Sequence, residues 1–142
     1  MTSAAQLLER KPRVMHSIDP DSPVLEAIRR MAEHGIGALL VLDQGKLVGI
    51  VSERDYARKV ILKGRSSSDT PVRDVMTSKL HTVAPGVDAG ECMQIMTERR
   101  VRHLPVLDGS RLLGILSIGD LVRAVLEEQA QTIAQLENYI HS

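Results

Sequence analysis

Gly49-Ile50-Val51-Ser52-Glu53-Arg54-Asp55 returns as Gly114-Ile115-Leu116-Ser117-Ile118-Gly119-Asp120. An ungapped shift of 65 residues superposes the two stretches and carries His16–Leu62 onto His81–Glu127, with 16 of the 47 pairs identical. Many remaining pairs exchange like for like: Ile18 with Val83, Ile28 with Met93, Ile36 with Val101, Lys46 with Arg111. A period this long lies outside the solenoid range, so two copies predict a pseudo-two-fold pair of half-domains sharing one core. Such a pair creates a cleft between equivalent edges.

The 142 residues, 43% of them hydrophobic, suffice for one domain with a real core. That core must be aliphatic, because Phe and Trp are absent and only two Tyr are present. A planar ligand would be gripped by branched aliphatics, and single-stranded nucleic acid, which leans on stacked aromatics, is disfavoured. Eighteen basic residues balance eighteen acidic ones, so no global field steers the chain toward nucleic acid or anionic lipid. A single cysteine cannot form an internal disulfide and fits a reducing compartment. The N-terminus lacks a secretory pattern and no apolar run approaches the roughly 18 residues of a membrane span, so a cytoplasmic protein without direct membrane insertion is expected.

Each copy reads strand, helix, strand, strand, helix. In the first, Val14–Ile18 predicts a short strand, Ser22-Pro23 an N-cap with proline at the first helical position, and Val24, Ala27, Ile28 and Met31 one apolar helical stripe stopped by Gly35. The second copy has Asp88 and Glu91 at capping-box spacing and Ala89, Cys92, Met93 and Met96 on the matching stripe. Hairpins follow at Ala38–Val51 and His103–Leu116. After them come Tyr56, Val60 and Ile61 in one copy and Leu121, Val122, Val125 and Leu126 in the other, as amphipathic helices. Residues 1–65 form the first repeat, 66–70 a linker, 71–128 the second repeat, and 129–142 a helical extension whose Ile133, Leu136 and Ile140 would pack on a neighbour or a second subunit.

Ser52-x-x-Asp55 and Ser117-x-x-Asp120 each have the form of a capping box. A helix N-terminus also offers free N–H groups to an anion, and a carboxylate beside it can accept the two hydroxyls of a ribose. Spacing alone leaves both roles open.

The two hydrophobic–Gly–hydrophobic–x–Ser–x–x–Asp segments follow the apolar strands Leu39–Asp43 and Leu104–Asp108. Together with Asp74-Val75-Met76-Thr77, they resemble a tandem cystathionine-β-synthase (CBS) domain pair, or Bateman module, over about residues 10–128. The chain is similar to stand-alone bacterial-type proteins of this kind. The resemblance implies an α/β (α+β) fold of two pseudo-symmetric β-α-β-β-α repeats packed through their sheets, with an extended C-terminal helix. It also implies binding of adenine nucleotides (AMP, ADP, ATP, in some members NAD or S-adenosylmethionine) and regulation of an enzyme, channel or transporter. Carried over, Asp55 and Asp120 match ribose-binding aspartates, and Ser52 and Ser117 the hydroxyls that contact ribose or phosphate. Gly37, Ala38, Arg102 and His103 match phosphate-facing positions. Ser17, Ile18, Thr82 and Val83 match the adenine-contacting segment. Leu39, Leu104 and Ile118 flank these positions and complete the expected set with Arg54 and Arg65.

The two sites are not expected to be equivalent. Arg102 and His103 would neutralise a phosphate where the first copy has Gly37 and Ala38, whereas Arg54 stands where the second copy has Gly119. A monophosphate such as AMP is therefore expected near Asp120 and a longer ligand, NAD(H) among them, near Asp55. Lys63-Gly64-Arg65-Ser66-Ser67-Ser68 reads either as a pyrophosphate-reaching loop or as a solvated flexible linker. His16, His34, His81, His103 and His141 lack paired ligand spacing, so no metal is expected, and only His103 has a positional case for ligand contact. Cys92 falls on a buried stripe. Arg100 and Arg102 are better phosphate candidates than Arg99, which suits a solvated helix end. No nucleophile–base pair appears and the resemblance implies binding rather than turnover, so the expectation is a non-enzymatic sensor with no catalytic cofactor, acting on a separate effector protein. The resemblance also implies a homodimer. The rival from another class is a nucleotide-independent dimeric interaction scaffold.

Overall fold

The computed structural model describes residues 2–12 and 14–141. In chain order the elements are α1 (Ala4–Glu9), β1 (Ser17–Ile18), α2 (Val24–His34), β2 (Ala38–Asp43), β3 (Lys46–Ser52), α3 (Glu53–Tyr56), α4 (Ala89–Arg99), β4 (His103–Asp108), β5 (Arg111–Ser117) and α5 (Ile118–His141). This mix of helices and two small sheets is the expected α+β class. The chain folds as two compact units: Val14–Leu80, and Met1–Arg13 together with His81–Ser142.

In the first of these, β1 pairs parallel with β2, and β2 pairs antiparallel with β3. The hairpin turns on Gln44 and Gly45, both at positive φ (50° and 81°), as a right-twisted two-residue connection requires. The α2 stripe is as read: Val24, Ala27 and Met31 are buried against Leu39, Val41 and Val51. Gly35 ends the helix at φ 63°, with Ile36 N–H returning to the Met31 carbonyl at 3.0 Å. The start of α2 differs from the expectation. Ser22 makes no side-chain cap; the N–H groups of Val24 and Leu25 donate to the carbonyls of Thr70 and Ser67 at 2.8 and 3.0 Å. The serine-rich stretch is thus no free linker. It folds over the helix start, with Thr70 buried and its hydroxyl donating to the Ser66 carbonyl at 2.6 Å.

The chain then runs beside β3. Val72 and Val75 enter the core, and Thr77 exchanges backbone hydrogen bonds with Ile50 at 2.8 and 3.0 Å. A Cβ on Gly49 would lie 2.7 Å from Met76 Sδ and 3.0 Å from the Thr77 carbonyl oxygen, so this close approach needs glycine. After α3 the helix widens into π-type turns, in which Leu62 N–H reaches Ala57 O and Arg65 N–H reaches Val60 O, each five residues back and 3.0 Å away. Val60 is buried, but Ile61 points outward.

In the other unit β4 and β5 repeat the hairpin, with His103 opposite Ser117. The expected first strand here shrinks to a bridge between Val83 and Val106. Proline explains this: Leu40 N–H donates to the His16 carbonyl in the first copy, whereas Pro105, its counterpart, has no N–H to give. Asp88 Oδ1 accepts from Glu91 N–H at 2.8 Å and caps α4, whose Ala89, Cys92 and Met96 are buried. The helix stops at Arg100, which adopts φ 54° where the first copy has Gly35.

The N-terminal segment completes this unit. Ser3 and Gln6 form a capping box, Ala4 and Leu7 enter the core, and Leu8 lies over Gly114, where an added Cβ would be 2.9 Å from Leu8 Cδ2. Ala4, Leu7 and Leu8 thus do for the second copy what Val72, Val75 and Met76 do for the first. The offset is 68 residues, not 65, so the ungapped repeat did not align them. In α5, Leu121 and Ala124 face the core while Val122 and Leu126 are exposed, which corrects the expected stripe. No helix among the described residues is long and apolar enough to cross a membrane.

Candidate functional site

Both Ser-x-x-Asp motifs sit where a strand turns into a helix, and both make the cap. Ser52 Oγ accepts from Asp55 N–H at 3.2 Å, while Ser52 N–H donates to Asp55 Oδ2 at 3.0 Å. Ser117 Oγ accepts from Asp120 N–H at 3.3 Å, and Ser117 N–H donates to Asp120 Oδ2 at 2.8 Å. The aspartates are the two buried acidic residues among those described, so each carboxylate needs compensation from its own surroundings.

That compensation differs in detail. Asp55 Oδ2 also takes the Ser52 hydroxyl at 3.0 Å, and Oδ1 takes the Thr77 hydroxyl at 3.2 Å and the Lys59 ammonium at 3.1 Å. Lys59 is simultaneously bonded to the Val75 carbonyl at 2.9 Å. Asp120 Oδ2 takes the Lys11 ammonium at 2.8 Å, and Oδ1 takes Arg123 at 2.8 Å; Lys11 also holds the Ile115 carbonyl at 2.9 Å. Two carboxylate oxygens offer about four acceptor positions. Asp55 has all four engaged; Asp120 holds the Ser117 N–H, Lys11 and Arg123, and the Ser117 hydroxyl also stabilises its charge.

The remaining candidates assemble around these caps within each unit. Ala38 lies opposite Ser52, and the Gly37 carbonyl accepts from Glu53 N–H at 3.0 Å. In the second copy the Arg102 carbonyl accepts from Ile118 N–H at 2.9 Å. Leu39 and Leu104 are buried walls rather than open surfaces. Ser17 and Ile18 pair with Leu40 and Val41, placing the first-strand backbone along β2, and the Ser17 carbonyl accepts from Arg30 at 2.7 Å. Val83 holds the same place beside β4, with Thr82 exposed just before it. Arg54, Ile118 and Arg102 are exposed next to their caps. Arg65 does not join them: its guanidinium pairs with Asp74 at 3.0 Å.

Charge at the second cap is finely set. Burial pushes the Asp120 carboxyl up, but the Lys11 ammonium and the Ser117 N–H outweigh it and hold its pKa below the ordinary value. His103 is held below the usual imidazole range, chiefly by burial and then by Lys11, against the pull of the Asp120 carboxylate and with help from Arg102. It therefore stands neutral near pH 7, and the expected phosphate neutralisation would first require the phosphate itself to draw a proton onto the ring. Burial, Asp88 and Glu91 push the Cys92 thiol up, away from reactivity.

Four partners of the aspartates escaped the sequence reading: Lys11, Lys59, Thr77 and Arg123. Lys59 and Arg123, at i+4 and i+3 from their aspartates, carried a readable signal, and Thr77 ended a motif already singled out. Lys11 lies 109 residues from Asp120 and carried none. The fold also pairs two histidines that sequence kept apart. His16 and His34 stack at 4.0 Å with planes 25° apart, and burial followed by the His34 charge lowers the His16 pKa. Among the described residues no group of three or more His, Cys, Asp or Glu is placed to hold a metal ion.

The chain is similar to known proteins over most of its length. The CBS domain family matches residues 6–62 and again 72–127. A mitochondrial CBS domain-containing protein of Arabidopsis thaliana, CBSX3, is 45% identical over 125 residues, 84% of this chain; the chain spans 61% of that relative's length. The CBS domain-containing protein YhcV of Bacillus subtilis is 34% identical over 105 residues, 74% of each chain. The solved structure of a protein with CBS domains from Burkholderia ambifaria MC40-6 superposes with a TM-score of 0.87 at 52% identity, covering 90% of this chain and 96% of that one. Tandem CBS domains are generally regulatory, nucleotide-binding and non-catalytic modules. With two family matches laid over two structurally equivalent strand–cap–helix sites, this chain belongs to the CBS domain family as a tandem pair.

Proposed function

We propose that this protein is a non-enzymatic adenine-nucleotide sensor that binds AMP or ATP, with NAD(H) as a further ligand, and passes the signal to an effector protein in a cytoplasmic setting. The observation that carries this reading is the pair of buried, hydrogen-bonded aspartates at helix starts, each beside a strand edge walled by aliphatics. A ribose diol would donate to the carboxylate, the base would lie along Ser17-Ile18 or Thr82-Val83, and the phosphate would run toward Gly37-Ala38 and Arg54 or toward Arg102 and His103. Asp120 accepts a ribose hydroxyl by displacing the exposed Arg123. Asp55 must release Thr77 or Lys59 first. The tighter site is therefore the one at Asp120, with a compact monophosphate there and a longer ligand at Asp55. Binding signals only by favouring one conformation through differential affinity. The protein acts as a homodimer.

Calorimetric titration of ligand-stripped protein with AMP, ATP, NAD, NADH and S-adenosylmethionine tests the proposal, with each hit repeated on Asp55→Ala and Asp120→Ala. Micromolar binding, weakened at least about 10-fold in one variant that still melts cooperatively, assigns that ligand to that aspartate. No binding of any of the five removes the sensor. The second reading, a nucleotide-independent dimeric scaffold, would then stand, supported by the near-complete engagement of both carboxylates by the protein's own donors.

A further inference from the structure

We propose that α5 is one strand of a parallel, in-register, two-stranded coiled coil between two copies of this chain. This deepens the homodimer reading above and rests on it. Val122, Leu126, Gln129, Ile133, Leu136 and Ile140 follow one another at alternating steps of four and three, the 3.5-residue period of a supercoiled seam. With Leu126, Ile133 and Ile140 at a, the d positions are Val122, Gln129 and Leu136.

The placement of the helix on its own unit agrees with this register. Asp120, Leu121 and Ala124, at b, c and f, are the buried residues of α5. These are the positions a two-stranded coiled coil turns away from its partner, so packing on the body leaves the a and d side chains facing out. Leu126, Ile133 and Leu136 are 57–59% exposed and Ile140 74%. From Gln129 to His141 every residue is exposed, yet the chain stays helical. Thirteen residues of helix with open aliphatic side chains are marginal in water on their own. A partner along the seam removes that cost.

The seam also identifies the partner and its direction. Towards the free end, Ile133 and Ile140 at a with Leu136 at d follow the pattern that favours two parallel strands; the pair nearest the body, Leu126 at a with Val122 at d, does not. Gln129 at a central d position meets itself when two copies run parallel in register, and its amide groups hydrogen-bond each other. An antiparallel pair centred on the same stripe would bury that amide against Ile133, an unsatisfied polar group. Across a parallel seam the flanking g-to-e pairs are Val125 with Ala130 and Thr132 with Glu137, so no like charges oppose. Six side chains from each copy, removing on the order of 100 Å² apiece, bury about 1,200 Å² in all, the lower end of stable specific interfaces.

Sedimentation equilibrium of the full chain over a wide concentration range is the test. A reversible dimer is expected, weakened about 100-fold or more in the Ile133→Glu, Leu136→Glu double variant, whose body should keep its thermal transition because neither residue is buried there. Gln129→Cys should close a disulfide between copies on mild oxidation, whereas Leu126→Cys mixed with Leu136→Cys should not cross-link. A dimer that survives the double variant overturns the coiled coil and leaves the homodimer reading intact. A monomer at all concentrations removes both. Cross-linking of the mixed Cys variants without that of Gln129→Cys overturns the parallel register.

Discussion

The two copies solve one problem, a buried aspartate at a helix start, with the same type of group approaching from opposite directions. In the first copy the ammonium comes from the helix itself: Lys59 spans from Asp55 to the carbonyl of Val75 in the packed lead-in. In the second that helix position is Ala124, buried in the core, and the ammonium comes from the lead-in: Lys11 spans from Asp120 to the carbonyl of Ile115 in the strand. A lysine that locks the lead-in to the carboxylate is thus common to both units, while its address in the sequence is not. The motif specifies the acid, and the fold finds the base. Under the function proposed above, a ligand that took the carboxylate in either unit would also loosen the lead-in, a physical route from binding to signal.

The contrast is most easily broken at the close approaches. Gly49→Ala should cost about 3 kcal/mol and Gly114→Ala about 1 kcal/mol by urea denaturation. The first Cβ meets the backbone carbonyl of Thr77, but the second meets only the end of the Leu8 side chain, which can turn away. Equal losses would show that the lead-ins are equally rigid.

Removing the ammonium sharpens the comparison further. Lys11→Met should destabilise by about 2 kcal/mol and Lys59→Met by about 1 kcal/mol, because Asp55 keeps its Thr77 and Ser52 hydroxyls. The Lys11 effect has a pH signature. The folded pKa of Asp120 is lowered, so its contribution is complete above about pH 5 and is lost as pH falls through the ordinary carboxylate range toward the lowered value. The gap between wild type and Lys11→Met should therefore narrow in acid, measured by denaturation at a series of pH values.

His103 reports the same charge from the other side. Its folded pKa lies below the unfolded value, so stability declines as pH drops through about 6.5, where the unfolded ring takes a proton first. Lys11→Met should raise the His103 midpoint read by NMR titration, and an unmoved midpoint would mean that Lys11 plays no part in setting it. The smallest effect is at the helix ends. Arg100→Gly should stabilise by about 1 kcal/mol by relieving a left-handed backbone, whereas Gly35→Ala should cost a similar amount, each read from Tm.

Much of this was legible in the chain. The helix stripes, the Gly35 stop, both hairpins and both caps depend on residues a few positions apart, and the 65-residue repeat doubled every such signal. The misreadings share a cause. Ser22 failed as a cap because Thr70 and Ser67, 46 and 42 residues beyond Val24 and Leu25, had already supplied the carbonyls. The serine-rich stretch looked like a linker because its composition is polar, although its backbone satisfies a helix end. The second copy's first strand faded because one proline across the sheet withheld one hydrogen bond.

Sequence by itself determined the doubled unit, its α+β class and the two aspartates with their serines, since periodicity and short-range capping are written in neighbouring residues. Only the tertiary structure decided which lead-in serves which copy, which lysine answers each aspartate, that His16 meets His34, and which face of α5 its own unit covers. Burial is the reason: a charge or an apolar face taken out of water must be matched by whatever group the fold brings near, and that group can stand anywhere along the chain.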